Sequence, residues 1–177
     1  MGSTSEGAQA AYSIPVLFNI IHLYAREGDD RFNDDIQKIN HEDIIIATQD
    51  GGVSAHLAEE LFPDAKTFPI VRNSDPNLQL INVTTNKADI AILGASISQG
   101  YIKNNPKKVK IITKGNPVKT YQTTYMYSIN DQALGNLINS ALRQLQYEGT
   151  TERIIKRYIK EKEVIYIPQS SSRPLYE

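Results

Sequence analysis

The run Ile44-Ile45-Ile46-Ala47-Thr48-Gln49-Asp50-Gly51-Gly52 decides the fold. Four consecutive apolar residues suit a strand covered on both faces, as the strands of a parallel sheet are. The polar turn that ends it carries two glycines and leads into a helix over 54–61, with Leu57, Ala58 and Leu61 on one face. Phe62-Pro63-Asp64 stops that helix, and 66–71 reads as a second short strand. Working outward, the same alternation recurs. Ser74-Asp75-Pro76 opens a helix to about residue 85, with Asp75 as cap and Pro76 at the first helical position. Ala88-Asp89-Ile90-Ala91-Ile92-Leu93 is another buried strand. Gly94-Ala95-Ser96 opens a helix to about residue 103, and 109–112 is a further strand.

Before this block, residues 12–24 favour an extended strand, with Pro15 restricting its start. Residues 25–40 are polar, with a turn at Gly28-Asp29-Asp30 and a helical turn over 34–39. After it, 114–121 reads as a loop and 123–129 as a strand. The strongest helix follows, capped by Asn130 or Asp131. Its Leu134, Leu137, Ile138, Ala141, Leu142 and Leu145 recur at helical spacing, and Gly149 ends it. A shorter helix spans 151–159. Strands alternating with helices predict an α/β fold with a parallel core.

The 177 residues suit one compact domain or two small ones sharing a core. Hydrophobic residues are 40% and charged residues 22%, as in an ordinary globular protein. A net charge of −1 gives no global attraction to nucleic acid or anionic lipid. The absence of cysteine excludes thiol catalysis, disulfides, cysteine zinc sites and iron–sulfur clusters. No apolar run approaches the roughly 18 residues that span a bilayer. His22, His41 and His56 lack metal-binding spacing, so no metal and no cofactor is expected. Residues 1–10 are small and polar, lack an apolar signal core, and read as a tag or a replaced leader.

Three stretches carry a family resemblance. They are residues 44–52; Asn86-Lys87-Ala88-Asp89-Ile90-Ala91-Ile92-Leu93; and 134–158, with Leu137-Ile138-Asn139-Ser140-Ala141-Leu142, Glu148-Gly149-Thr150 and Ile154-Ile155-Lys156-Arg157-Tyr158. In this order they resemble the second half of a bacterial extracellular solute-binding protein of the amino-acid type. The resemblance implies the class II periplasmic-binding-protein fold: a three-layer α/β/α lobe with C-terminal helices returning to lobe 1. On that pattern 11–35 is the first crossing strand and linker, 36–122 is lobe 2, 123–160 returns to lobe 1, and 161–177 is a loosely held tail. Most of lobe 1 would be missing, and the apolar face of the long helix would then need a substitute partner such as a second copy in a homodimer.

Thr48, Gln49, Asp50, Gly51, Gly52 and Ser54 form the first candidate ligand contact. Glycines let backbone approach a ligand, and free N–H groups at a helix start favour an anion such as a carboxylate. The alternative is a plain strand-to-helix turn. Leu93, Gly94 and Ser96 form the second. The family's amino-acid binders usually place an acid where Gly94 stands, so glycine argues against a standard α-amino acid. Ser96 reads as a helix cap, or as a donor to the ligand. Asp89 matches the family's in-strand aspartate, whose role there is structural. Arg72 and Asn73 follow a strand end, where α/β proteins bind ligands, or form a solvated loop. Lys103, Lys107, Lys108 and Lys110 read as an exposed surface. Tyr121, Tyr125 and Tyr127 either line a cleft or pack on neighbouring strands.

The resemblance implies a binding module for a small polar ligand, an amino acid or organic acid, serving an ABC transporter permease in the periplasm or outside the cell. No catalytic residue and no nucleic-acid partner is expected. A sensory domain of a receptor, a dehydratase-like enzyme of the same fold and a scaffold lobe that no longer binds ligand are the competing readings. The enzyme needs an acid–base pair, for which Asp50 and His56 make a poor case.

Overall fold

The computed structural model describes residues 9–33, 35–113, 115–158 and 165–166. Of residues 1–10, read as a tag or replaced leader, 1–8 lie outside them, as do Asp34, Lys114, Ile159 and most of the tail; Ala10 instead opens a strand. Nine strands and five α-helices are described. The strands are β1 (Ala10–Tyr12), β2 (Leu17–Arg26), β3 (Ile45–Gln49), β4 (Lys66–Ile70), β5 (Ile90–Gly94), β6 (Val109–Ile111), β7 (Lys119–Thr123), β8 (Met126–Ser128) and β9 (Ile165–Tyr166). The helices are α1 (Val53–Leu61), α2 (Leu78–Thr84), α3 (Ala95–Asn104), α4 (Gln132–Tyr147) and α5 (Thr150–Tyr158). The chain divides into two compact units: Ile20–Thr120, and Met1–Asn19 with Tyr121–Glu177.

The larger unit is built on the strand order β4-β3-β5-β2-β6. β3 is parallel to β4 and to β5, as the apolar runs predict. β2 departs from the expected parallel core: it runs antiparallel to both β5 and β6. The connection β3-α1-β4 moves one way across the sheet and β4-α2-β5 moves back past β3. Right-handed crossovers therefore put α1 and α2 on opposite faces, which makes three layers. Tyr24, Ala47, Leu80, Val83, Ala91, Leu93 and Val109 form a buried cluster, with Tyr101 and Ile102 of α3 packed against it. Ile46, Leu57 and Ile90 are also fully buried.

Local signals place most ends within a residue or two. The helical turn predicted over 34–39 is a 3-10 turn at Ile36–Ile39, capped by the Asp35 carboxylate. Asp75 accepts the Asn77 N–H at 2.9 Å, and α2 starts later than expected, at Leu78. β4 is an edge strand. Its Lys66 N–H turns inward to Ile44 O, so by alternation Thr67 and Pro69 face outward. Pro69 thus removes a donor from the open edge, a device that discourages edge-to-edge pairing.

In the smaller unit, β1 pairs antiparallel with β8. The single strand expected over 12–24 is interrupted between Ser13 and Val16, around Pro15. The Ser13 N–H donates to Tyr125 O and the Val16 N–H to Thr123 O. Likewise the loop expected over 114–121 is found only at 115–118 among the described residues, and the rest to 129 forms two strands, β7 and β8, rather than one; β7 pairs with β2. β9 pairs Ile165 with Asn19 and Tyr166 with Phe18, where a loosely held tail was expected. Strand backbone left without a ladder partner is costly when shielded from water, and these pairings satisfy it.

Asp131, not Asn130, caps α4, accepting the Leu134 N–H at 3.0 Å. Gly149 takes a positive φ of 68° just past its end. Asn139 Oδ1 accepts the Ile14 N–H at 2.8 Å, and Gln146 Nε2 donates to Pro15 O at 2.8 Å. The Tyr127 ring stands where a Cβ on Gly135 would project, so only glycine allows this approach. These contacts bury the face carrying Gly135 and Leu142, while Leu134, Leu137, Ala141 and Leu145 remain exposed.

Candidate functional site

The parallel pairing brings the ends of β3, β4 and β5 to one edge of the sheet, where open α/β sheets bind ligands. Three turns converge there: 50–52 after β3, 71–74 after β4 and the β5–α3 junction at Gly94. Asp50 and Gly51 are exposed, and Gly52 is half-buried. Gly51 has a positive φ of 62°. The Asp50 N–H bonds to Ile70 O at 3.0 Å and the Gly52 N–H to Gln49 O at 2.9 Å, so the turn is tied to β4 and to itself.

Gly52 is the N-cap of α1 and Gly94 the N-cap of α3, and neither helix has a side-chain cap bond. The cap residues at this edge therefore supply no side-chain acceptor to the first turn, as Asp35 and Asp131 do elsewhere. Ser96 is not the cap it was expected to be. The chain is already helical from Ala95, so the extended cap conformation falls on Gly94, with φ −65° and ψ 134°.

The predicted residues divide by burial. Thr48 and Ser54 are buried, and Ser54 Oγ accepts the Gln49 N–H at 2.9 Å, so its hydroxyl shapes the turn. Gln49 Nε2 donates to Ser74 O at 3.1 Å, linking the turns after β3 and β4. Leu93 belongs to the core, and Gly94 is buried with Ile21 and Ile97 around it. Gln49, Asp50, Gly51, Gly52 and Ser96 are the members that solvent reaches.

Two supporting features escaped sequence reasoning. Gln79 of α2 is 1% exposed. In the amide orientation its surroundings require, its nitrogen reaches Ala47 O at 2.9 Å, Ser54 Oγ at 3.2 Å and Ile92 O at 3.3 Å. It thus braces β3, β5 and the ligand turn together. Tyr24 OH pairs with Ser98 Oγ at 2.7 Å, and Ser98 also donates to Ala95 O, which holds the first turn of α3. Burial pushes the Tyr24 hydroxyl up to about 12, so it stays protonated. Arg72, already a candidate in the sequence, lays its guanidinium over Gly51. Its signal in the sequence was its place just past a strand end.

Other candidates fall away from this edge. Asp89, at the opposite end of β5, accepts the Ile45 N–H at 3.0 Å and bonds to Arg31 at 2.6 Å and Arg26 at 3.3 Å, a structural setting. Tyr127 packs on α4, whereas Tyr125 is exposed. Lys110 pairs with Asp30 at 2.6 Å, and Lys103, Lys107 and Lys108 are exposed. His56 lies 3.7 Å from Glu60. Among the described residues no group of three His, Cys, Asp or Glu could hold a metal, and no helix is long and apolar enough to cross a membrane.

No protein-family model matches the chain, and no curated protein matches it in sequence. Solved structures do match. An ancestral amino acid-binding protein, a precursor of cyclohexadienyl dehydratase, superposes with a TM-score of 0.72 at 17% identity, covering 89% of this chain and 64% of its own. The binding component of an ABC transporter from Wolinella succinogenes, complexed with lysine, has a TM-score of 0.76 at 14% identity, with 91% and 67% covered. The solute receptor for L-cysteine of Neisseria gonorrhoeae has a TM-score of 0.73 at 10% identity, with 94% and 67% covered. The chain has the fold of these solute-binding proteins, and spans about two thirds of their length. Most of its structural neighbours are binding proteins.

Proposed function

We propose that the chain is a solute-binding module, or part of one, that takes a small carboxylate-bearing solute (an amino acid or organic acid) for ABC-type import. The observation that carries this is the convergence, at the carboxyl ends of three parallel strands, of two glycine-capped helix starts without side-chain caps. The solute rests on the backbone of Gly51 and Gly52 and beside Gln49, Asp50 and Ser96. Thr48, Ser54, Leu93 and Gly94 shape the floor. The likeness to proteins complexed with lysine or bound to L-arginine supports the reading. Binding rather than catalysis is favoured by the structural neighbours, which are mostly binding proteins; His56, the base candidate, lies 3.7 Å from Glu60. The module acts in the periplasm or outside the cell, with a permease as its protein partner.

Native mass spectrometry with L-lysine, L-cysteine, L-arginine and succinate tests the reading. We expect a one-to-one complex with at least one of them. A protein that carries no adduct at millimolar concentrations of each removes it.

We further propose that a second copy covers the outward stripe of α4, where Leu137 is 68% exposed. Sedimentation velocity is expected to give a dimer for the natural sequence and a monomer for Leu137→Glu. A monomeric natural chain at tens of micromolar excludes the dimer.

A further inference from the structure

We infer that Arg72 is the residue that holds the solute's carboxylate, and so sets the site's preference for anions; this rests on the reading of the strand-end turn as the binding site. Arg72 stands two residues beyond β4, the neighbour of β3 in the sheet. Its Cζ, Nε and Nη2 lie 3.4, 3.5 and 3.6 Å from the point where a Cβ on Gly51 would stand. The guanidinium is thus laid against the backbone of the ligand turn. Gly51 makes this approach easy twice over: its φ of 62° is a conformation that L side chains rarely adopt, and it has no side chain between the guanidinium and the main chain.

The electrostatic surroundings separate Arg72 from the other arginines of its unit. Between residues 20 and 120 there are three: Arg26, Arg31 and Arg72. Arg26 and Arg31 are ion-paired with Asp29 and Asp89. Arg72 has no acidic partner within ion-pair distance among the described residues. Asp75, three residues along the chain, accepts from the Asn77 N–H and Nδ2, and Asp50, on the turn after β3, makes no ion pair with Arg72.

A planar guanidinium offers parallel N–H donors whose spacing matches the two oxygens of a carboxylate. A carboxylate there would also lie at the turn that leads into α1, whose first N–H groups have no side-chain cap. The chemistry selected is therefore a carboxylate, shared by amino acids and simple organic acids. The uncharged amide of the same solute would forfeit the paired bonds.

The test uses the full chain and isothermal titration calorimetry. L-lysine, L-cysteine, L-arginine, L-glutamate and succinate are titrated singly, and the tightest binder is carried forward with its amide. The expected results are about 10–100-fold weaker binding by Arg72→Gln, as loss of a charged hydrogen-bonding group predicts, a smaller loss by Arg72→Lys, and weak binding of the amide to the natural chain. Lys103→Gln, which removes an equal charge from an exposed site on α3, is expected to bind as the natural chain does. Arg72→Gln should unfold at the natural temperature without ligand. Undiminished binding by Arg72→Gln overturns the assignment of Arg72 and leaves the solute-binding reading standing. Failure of all five probes to bind the natural chain overturns both.

Discussion

Replacing Gln79 by alanine is expected to lower the unfolding free energy of the 20–120 unit by about 3 kcal/mol, the range set by a cavity plus unsatisfied buried acceptors. Its amide nitrogen shares two hydrogens among Ala47 O, Ser54 Oγ and Ile92 O, on β3, α1 and β5. Alanine would leave these groups without that donor where water does not reach, and would open a void beneath α2. Gln79→Leu separates the two contributions. It keeps most of the volume and removes the hydrogen bonds, so it is expected to cost about 1–2 kcal/mol. Urea titration followed by circular dichroism measures both. A leucine variant as stable as the natural chain would mean that the bonds add nothing net. The alanine variant should also weaken ligand binding, because Ser54 Oγ is at once an acceptor for Gln79 and the anchor of the Gln49 N–H.

The second large effect is expected at Asp89. Its carboxylate binds the Ile45 N–H and two guanidinium groups, with the side chain 17% exposed. Arg26 meanwhile caps Val83 O and Ala88 O at 3.0 and 2.7 Å, so the cluster joins β2, α2 and the start of β5. Asp89→Ala removes the common acceptor and strands the Ile45 N–H, a loss of about 2–3 kcal/mol at neutral pH.

The same cluster gives stability a defined pH dependence. Burial pushes the Asp89 carboxyl up, but the bonds from Arg31, Ile45 and Arg26 outweigh it and hold the group below its ordinary value. Hydrogen bonding from Arg31 holds Asp29 low as well. A carboxylate with a lowered folded pKa takes up its proton more readily in the unfolded chain. Its contribution is therefore complete above the unfolded value of about 3.9 and is lost as pH falls through the lowered folded values. The natural chain should lose melting temperature steeply below pH 4. Asp89→Asn, which keeps the shape and removes the charge, should start lower at pH 7 and fall less between pH 4 and pH 2.5. Parallel melting curves for the two proteins would contradict this account.

Much of the larger unit could be read from its sequence. The apolar runs before Gln49 and Gly94 are strands, the helices after them begin at glycine turns, and Asp35 and Asp131 cap as carboxylates do. The candidate turn was legible for the same reason, since a strand running into two glycines and a helix start is a signal within ten residues. Its supports were not. Gln79 resembles any polar helical residue until α2 is packed on the sheet. Ser96 looked like a cap, because nothing in Gly94-Ala95-Ser96 says which residue takes the extended conformation.

By itself the sequence determined the α/β class, the alternation of strands and helices from β3 to β6 and the ends of α4, because periodicity, capping and glycine conformation act over one or two turns of chain. Only the tertiary structure decided that β2 runs antiparallel, that the stretches around Pro15 and Thr124 break into separate strands, and that Ile165 and Tyr166 add to β2. It also decided that Tyr24 meets Ser98, that Gln79 reaches both β3 and β5, and that Arg72 lies over Gly51. Each is a pairing between elements that are separate in sequence. The groups that satisfy one another there have no local signature, because what selects them is the shared cost of leaving buried polar groups and strand edges unpaired.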